Sequence, residues 1–149
     1  MNKKRKMKNH KGQLNLSFGM IFSIILIIVF IAFGFYAITK FIELQDSIQI
    51  ENFLRDFQQD IDTMWKSSQG SQNIKYPLPN KVSAVCFKDD EFQNLEFVSS
   101  TLIKGDLIEN IDIAKITKDE DPYCIQNVKG KVSLTIVKGY GESLVRVER

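Results

Sequence analysis

From Phe18 to Ile38 the chain reads FGMIFSIILIIVFIAFGFYAI, and only Gly19, Ser23, Gly34 and Tyr36 interrupt the apolar run. No charged residue occurs between Gly12 and Thr39. As a helix rising about 1.5 Å per residue, Phe18–Ile38 is roughly 31 Å long, close to the hydrocarbon thickness of a bilayer. A buried helix in a soluble protein this small would keep a polar side. The pattern therefore predicts a transmembrane helix within residues 13–39. Later apolar stretches are short and interrupted by charge, so a single pass is expected.

After the span the pattern becomes periodic. No Pro or Gly falls between Thr39 and Ser67. Phe41, Leu44, Ile48, Phe53, Leu54, Phe57, Ile61, Met64 and Trp65 recur mostly at three- and four-residue steps, with acids largely between them. This reads as one apolar stripe on an amphipathic helix over residues 40–67, stopped by Ser67-Ser68-Gln69-Gly70-Ser71. Two surfaces compete for the stripe: a coiled-coil seam, or the domain that follows. The spacing is not a sustained heptad, which favours packing on the domain through Phe53, Phe57, Ile61, Met64 and Trp65.

Residues 68–80 read as a linker and residues 81–149 as a β domain. Val82–Phe87, Leu95–Val98, Tyr123–Gln126, Lys131–Val137 and Ser143–Glu148 read as strands, with Val132, Leu134 and Ile136 alternating onto one face. Gly139-Tyr140-Gly141 supplies a turn before the last strand. Leu107–Ile116 fits either a strand or a short helix. Short alternating strands joined by turns argue for an antiparallel sheet with one apolar face, and the amphipathic helix is its natural cover. The expected fold class is α+β: a long N-terminal helix, transmembrane and then amphipathic, packed on a small antiparallel β-sheet domain.

Charge adds a direction. The 149 residues sum to +2, but Lys3, Lys4, Arg5, Lys6, Lys8 and Lys11 stand in a leader, residues 1–12, that holds no acid. Residues 13–149 carry the other fourteen bases and all eighteen acids, a net −4. The positive-inside bias places the leader in the cytoplasm and the β domain outside a cell membrane. Cleavage as an ordinary secretory signal is disfavoured, because the apolar run is too long and no small-x-small site follows it before Lys40. The lipid bilayer is the expected partner, and nucleic acid is not, since the basicity is confined to the leader.

The chemistry of the exterior part is sparse. Cys86 and Cys124 are the only cysteines, and in an oxidising compartment such a pair most often forms a disulfide; two buried free thiols are the alternative. The one histidine, His10, lies in the leader, so histidine-dependent nucleophile systems are excluded from the β domain and a metal site is poorly supported. Asp89-Asp90-Glu91 and Asp119-Glu120-Asp121 fit solvated turns better than calcium loops, since neither follows the EF-hand pattern. No phosphate-binding loop is present. The expectation is a protein without catalytic residues, cofactor or metal.

The basic leader, the sequence Lys11-Gly12-Gln13, and a hydrophobic helix running into an amphipathic one ahead of a β domain resemble archaeal type IV pilin-like proteins with class III signal peptides. The resemblance covers the layout of residues 3–65 and about five residues of motif. It implies that a prepilin peptidase cuts the Gly12–Gln13 bond, leaving Gln13 as the mature N-terminus. It also implies that the apolar helix serves first as anchor and then as packing core among like subunits in a pilus-type, cell-surface filament. The family usually carries Ser two residues after the Gln and Glu two further on; this chain has Asn15 and Ser17 there. The alternative is a permanently anchored surface protein whose β domain binds a partner and which is never processed.

Overall fold

The computed structural model describes residues 17–99 and 104–149. Helix α1 runs without interruption over Phe18–Lys66. Seven strands and one short helix follow: β1 Gly70–Pro77, β2 Val82–Phe87, β3 Leu95–Ser99, β4 Lys104–Asp106, α2 Ile113–Ile116, β5 Tyr123–Gln126, β6 Lys131–Lys138 and β7 Arg146–Glu148. The chain divides into two compact units between Phe41 and Ile42.

In the first unit every described residue is exposed except Gly34, which is half-buried. Two hydroxyls inside or at the end of the apolar run bond the helix's own backbone: Ser23 Oγ donates to the Gly19 carbonyl at 2.8 Å and Thr39 Oγ1 to the Tyr36 carbonyl at 2.9 Å. Such back-bonding satisfies the Ser23 and Thr39 hydroxyl hydrogens in an apolar medium.

The second unit is the α+β domain. Its strands form two antiparallel sheets, ordered β1-β6-β7 and β4-β3-β2-β5, rather than the one sheet that alternation suggested. The segment read as a linker, 68–80, contains β1, which pairs with β6 along its full length from Gly70↔Lys138 to Pro77↔Lys131. Its polar composition hid it: only Tyr76 is buried, with Gly70 and Ile74 half-buried, as befits an edge strand with one covered face. The final strand is shorter than expected. Residues 143–145 do not extend β7; Val145 pairs instead with the loop after β4, where its N–H donates to the Asn110 carbonyl at 3.0 Å and its carbonyl accepts Asp112 N–H at 2.8 Å.

Phe53, Phe57, Ile61 and Met64 of α1 are buried together with residues from both sheets. Val132, Leu134 and Ile136 of β6 are fully buried, as their alternation requires. The Phe53 ring lies 5.1 Å from Tyr76 on β1 and 5.4 Å from Phe97 on β3, and the Phe57 ring 5.9 Å from Tyr76 and 6.0 Å from Phe87 on β2. Two helical side chains thus join rings from both sheets, and that contact is the centre of the core.

Trp65 does not join that face: it is 40% exposed, and its indole N–H donates to the Ser143 carbonyl at 2.9 Å. The stripe read from the sequence is also two stripes. Leu44 and Ile48 are 56% and 47% exposed. The five-residue step from Ile48 to Phe53 breaks the three–four phase, and at about 100° per residue Leu44 and Ile48 face roughly opposite to Phe53–Met64.

Candidate functional site

Each unit has its own candidate feature: in the first, the exposed apolar helix; in the second, the framework that holds the rest of α1 to the β domain. The apolar part is the direct consequence of composition: its most hydrophobic window has mean hydropathy 2.9, and none of it is buried. Among the described residues this is the one helix long and apolar enough to cross a membrane.

The framework is built of specific polar contacts at the rim of the core. Tyr76 Oη donates to Asp60 Oδ2 at 2.5 Å. Burial first, and the Asp60 carboxylate second, push the Tyr76 phenol well above its ordinary range. Lys138, buried on β6, reaches the C-terminal end of α1, where its Nζ donates to the carbonyls of Trp65 and, at 2.9 Å, Ser67. A cation at this end satisfies carbonyls that have no partner within the helix. Lys81 Nζ pairs with Asp46 Oδ2 at 2.7 Å and ties the β1–β2 connection to α1.

The chain between β4 and α2 is fastened from two sides. Asn94 donates to the Ile108 carbonyl and accepts from Ile108 N–H, both at 2.8 Å. From α1, Gln58 Oε1 accepts Glu109 N–H and Asp62 Oδ1 accepts from Asn110 Nδ2, each at 2.9 Å.

Cys86 and Cys124 are disulfide-bonded. They stand directly opposite each other on β2 and β5, so the bond fastens a four-residue edge strand to its neighbour. The free-thiol alternative is thereby set aside. Of the packing residues expected from the sequence, Phe53, Phe57, Ile61 and Met64 come together in the core and Trp65 lies at its edge. The expected cleavage pair Gly12 and Gln13, and the orienting residues Lys3, Lys4, Arg5, Lys6, Lys8 and Lys11, lie outside the described residues.

Elsewhere the charges answer one another. A cleft of about 240 Å³ is lined by Lys115, Ile116, Asp119, Tyr123, Arg146, Val147 and Glu148. Its cations are already engaged, Lys115 with Asp112 and Glu142, and Arg146 with Glu142 and Glu148. Gly139 N–H, and after it Lys115, hold the Glu142 carboxyl below its usual range. The Asp90 carboxylate accepts Phe92 and Gln93 N–H at 2.8 and 3.1 Å, which closes its own turn. Among the described residues no group of three or more His, Cys, Asp or Glu is placed to hold a metal ion.

The chain matches no family model, no curated protein and no solved structure.

None of Lys138, Asn94, Asp60 or Gln58 was singled out from the sequence. Lys138 and Asn94 carried one faint signal, a polar side chain at the edge of an apolar strand. Their partners are far away in the chain, and nothing local announces them.

Proposed function

We propose that this chain is a non-enzymatic, membrane-anchored surface protein of the pilin-like type, with its leader in the cytoplasm and its β domain outside. The observation that carries the reading is the exposed apolar length of α1, running into a helix whose second half supplies the core of a disulfide-bonded domain. A bare apolar surface of this extent is stable in lipid or against other apolar helices and not in water. The disulfide supports an oxidising, exterior location for the domain. The six bases of the leader support the cytoplasmic side for the N-terminus.

On this reading a prepilin peptidase cuts after Gly12, and like subunits in a pilus-type assembly later replace lipid around the helix. A second reading, permanent anchoring without processing, draws on Asn15 and Ser17 standing where pilin-like chains carry Ser and Glu. Intact mass of the membrane-extracted protein separates the two. A chain beginning at Gln13 supports processing, and a full-length N-terminus leaves the permanent anchor. Recovery of the full chain in the soluble fraction, with no membrane pool, refutes both.

A further inference from the structure

We infer that the Cys86–Cys124 bond is a site of thiol–disulfide exchange in the folded domain, entered at Cys124 Sγ by a partner that carries a thiolate. The inference stands on the β domain alone and does not depend on the membrane-anchor reading.

The register places the bond outside the core. Cys86 on β2 stands directly opposite both Cys124 on β5 and Glu96 on β3, so these three side chains share one face of the four-stranded sheet. The residues beside them along the strands, Val85, Phe87, Leu95, Phe97 and Ile125, point to the other face and belong to the core cluster. Opening the bond therefore withdraws no side chain from that cluster. It also leaves the backbone pairing of β2 with β5, from Ala84↔Gln126 to Phe87↔Tyr123, to hold the edge strand.

The two sulfurs differ in access. Cys86 is 2% exposed, whereas Cys124 is half-buried and Gln126, next on the same face of β5, is exposed and neutral. A thiolate attacks in line with the bond that breaks, so the side of each sulfur away from its partner must be open. The bond crosses from β2 to β5, and β5 is the last strand in the order of its sheet. The far side of Cys124 Sγ thus looks past the edge of the sheet. The far side of Cys86 Sγ looks across β3, where the Glu96 carboxylate stands directly opposite and meets an incoming thiolate with like charge.

The exchange then has one direction of entry. The incoming thiolate forms a new S–S bond to Cys124 Sγ, the Cys86–Cys124 bond breaks, and its electron pair leaves on Cys86 Sγ, which takes a proton from water. Cys86, held directly opposite, is the resolving thiol: as a thiolate it attacks Cys124 Sγ, re-forms the bond and expels the partner. A partner with two thiols completes the other outcome. Its second thiolate attacks its own sulfur on Cys124, so that the dithiol is oxidised to a disulfide and both cysteines are left as thiols.

The test incubates the oxidised full chain in detergent with excess glutathione at mildly alkaline pH. Samples are stopped with acid at early times, alkylated in denaturant and mapped by peptide mass, with near-UV circular dichroism followed in parallel. The expected result is glutathione on Cys124 and alkylated Cys86, in excess of the reverse adduct by about tenfold or more, at a rate that low urea leaves unchanged. Equal adducts, or an excess on Cys86, overturn the direction of entry. A rate that climbs with urea in step with global unfolding, or no adduct while the urea-unfolded chain is fully modified, overturns exchange in the folded state. A second measurement uses the single variants Cys86→Ser and Cys124→Ser with an aromatic disulfide reagent. The Cys124 thiol of the first should react at least about tenfold faster than the Cys86 thiol of the second, and equal rates in folded protein overturn the inference. If either variant fails to fold, the peptide map of the parent chain decides alone.

Discussion

Phe57→Ala tests the contact on which the domain turns. Phe57 is fully buried, and its ring meets Phe53 at 5.6 Å, Tyr76 of the first sheet at 5.9 Å and Phe87 of the second at 6.0 Å. Truncating a buried Phe to Ala costs about 3–5 kcal/mol, from lost transfer free energy and from the cavity left behind. The upper part of that range is expected, because three aromatic neighbours anchored on different elements cannot all collapse into the space. A domain of this size holds roughly 5–15 kcal/mol in total, so the loss is about a quarter of its stability or more. At about 4 °C per kcal/mol the melting temperature should fall by about 15–20 °C.

The assay is thermal and urea unfolding of the detergent-solubilised full chain, followed by near-UV circular dichroism and Trp65 fluorescence. Ile48→Ala is the internal standard: it removes about half as much apolar mass, from a half-exposed position, and should change stability by less than about 1 kcal/mol. A Phe57→Ala chain that unfolds with the parent, or that loses no more than Ile48→Ala, refutes the assignment of this helix face to the core. Phe57→Asp goes further, burying an unpaired charge, and should leave the domain unfolded where the parent is folded.

Three further outcomes follow from the framework. Replacing Cys86 and Cys124 together by Ser releases a loop with sequence separation 38 and should cost up to about 4 kcal/mol in the chain-entropy treatment; free thiols on both residues in protein from its native membrane would count against an exterior domain. Tyr76 keeps its proton in the folded state above pH 10 whereas the unfolded phenol loses it near 10, so stability holds below pH 10 and declines above it. Tyr76→Phe should flatten that alkaline decline, and an unchanged profile would mean that Tyr76 is not its source. In cells, Gly12→Val should leave residues 1–12 on the chain if a prepilin peptidase acts there; an N-terminus at Gln13 in that variant would refute the assigned site.

The sequence disclosed what depends on neighbours along the chain. An uncharged run, a helix with no Pro or Gly after Thr39, and the alternation of Val132, Leu134 and Ile136 each read directly as structure. What stayed hidden depends on pairing at a distance. β1, GSQNIKYP, looks like a polar connector because one of its faces meets water and its partner β6 lies some sixty residues away. β4, Lys-Gly-Asp, has no apolar residue and exists through its pairing with β3. The division into two sheets follows from those pairings and from nothing local. The two-stripe character of α1 was legible in principle, since the step from Ile48 to Phe53 is five residues and the phase breaks there.

Because the core takes Phe53, Phe57, Ile61 and Met64 from α1, the apolar run and the domain share one helix, and the place where they can be parted is narrow. The first helical side chains packed on the core are Ile50, half-buried, and Phe53, whose ring meets Tyr76 at 5.1 Å and Phe97 at 5.4 Å. A chain beginning at Ile42 keeps all of them, together with the Asp46–Lys81 pair, and should fold as a soluble domain with a parent-like near-UV spectrum. A chain beginning at Asp56 loses Ile50, Phe53 and Leu54 and exposes the faces of Tyr76 and Phe97 that they cover. Removing Phe53 alone should cost about 3–5 kcal/mol, so this shorter chain should melt far below the first or fail to fold. If the Asp56 chain melts with the Ile42 chain, the first turns of the packed helix contribute nothing to the core. If the Ile42 chain does not fold, the domain needs the apolar helix for stability, and the division of the chain between Phe41 and Ile42 is not a division of folding units.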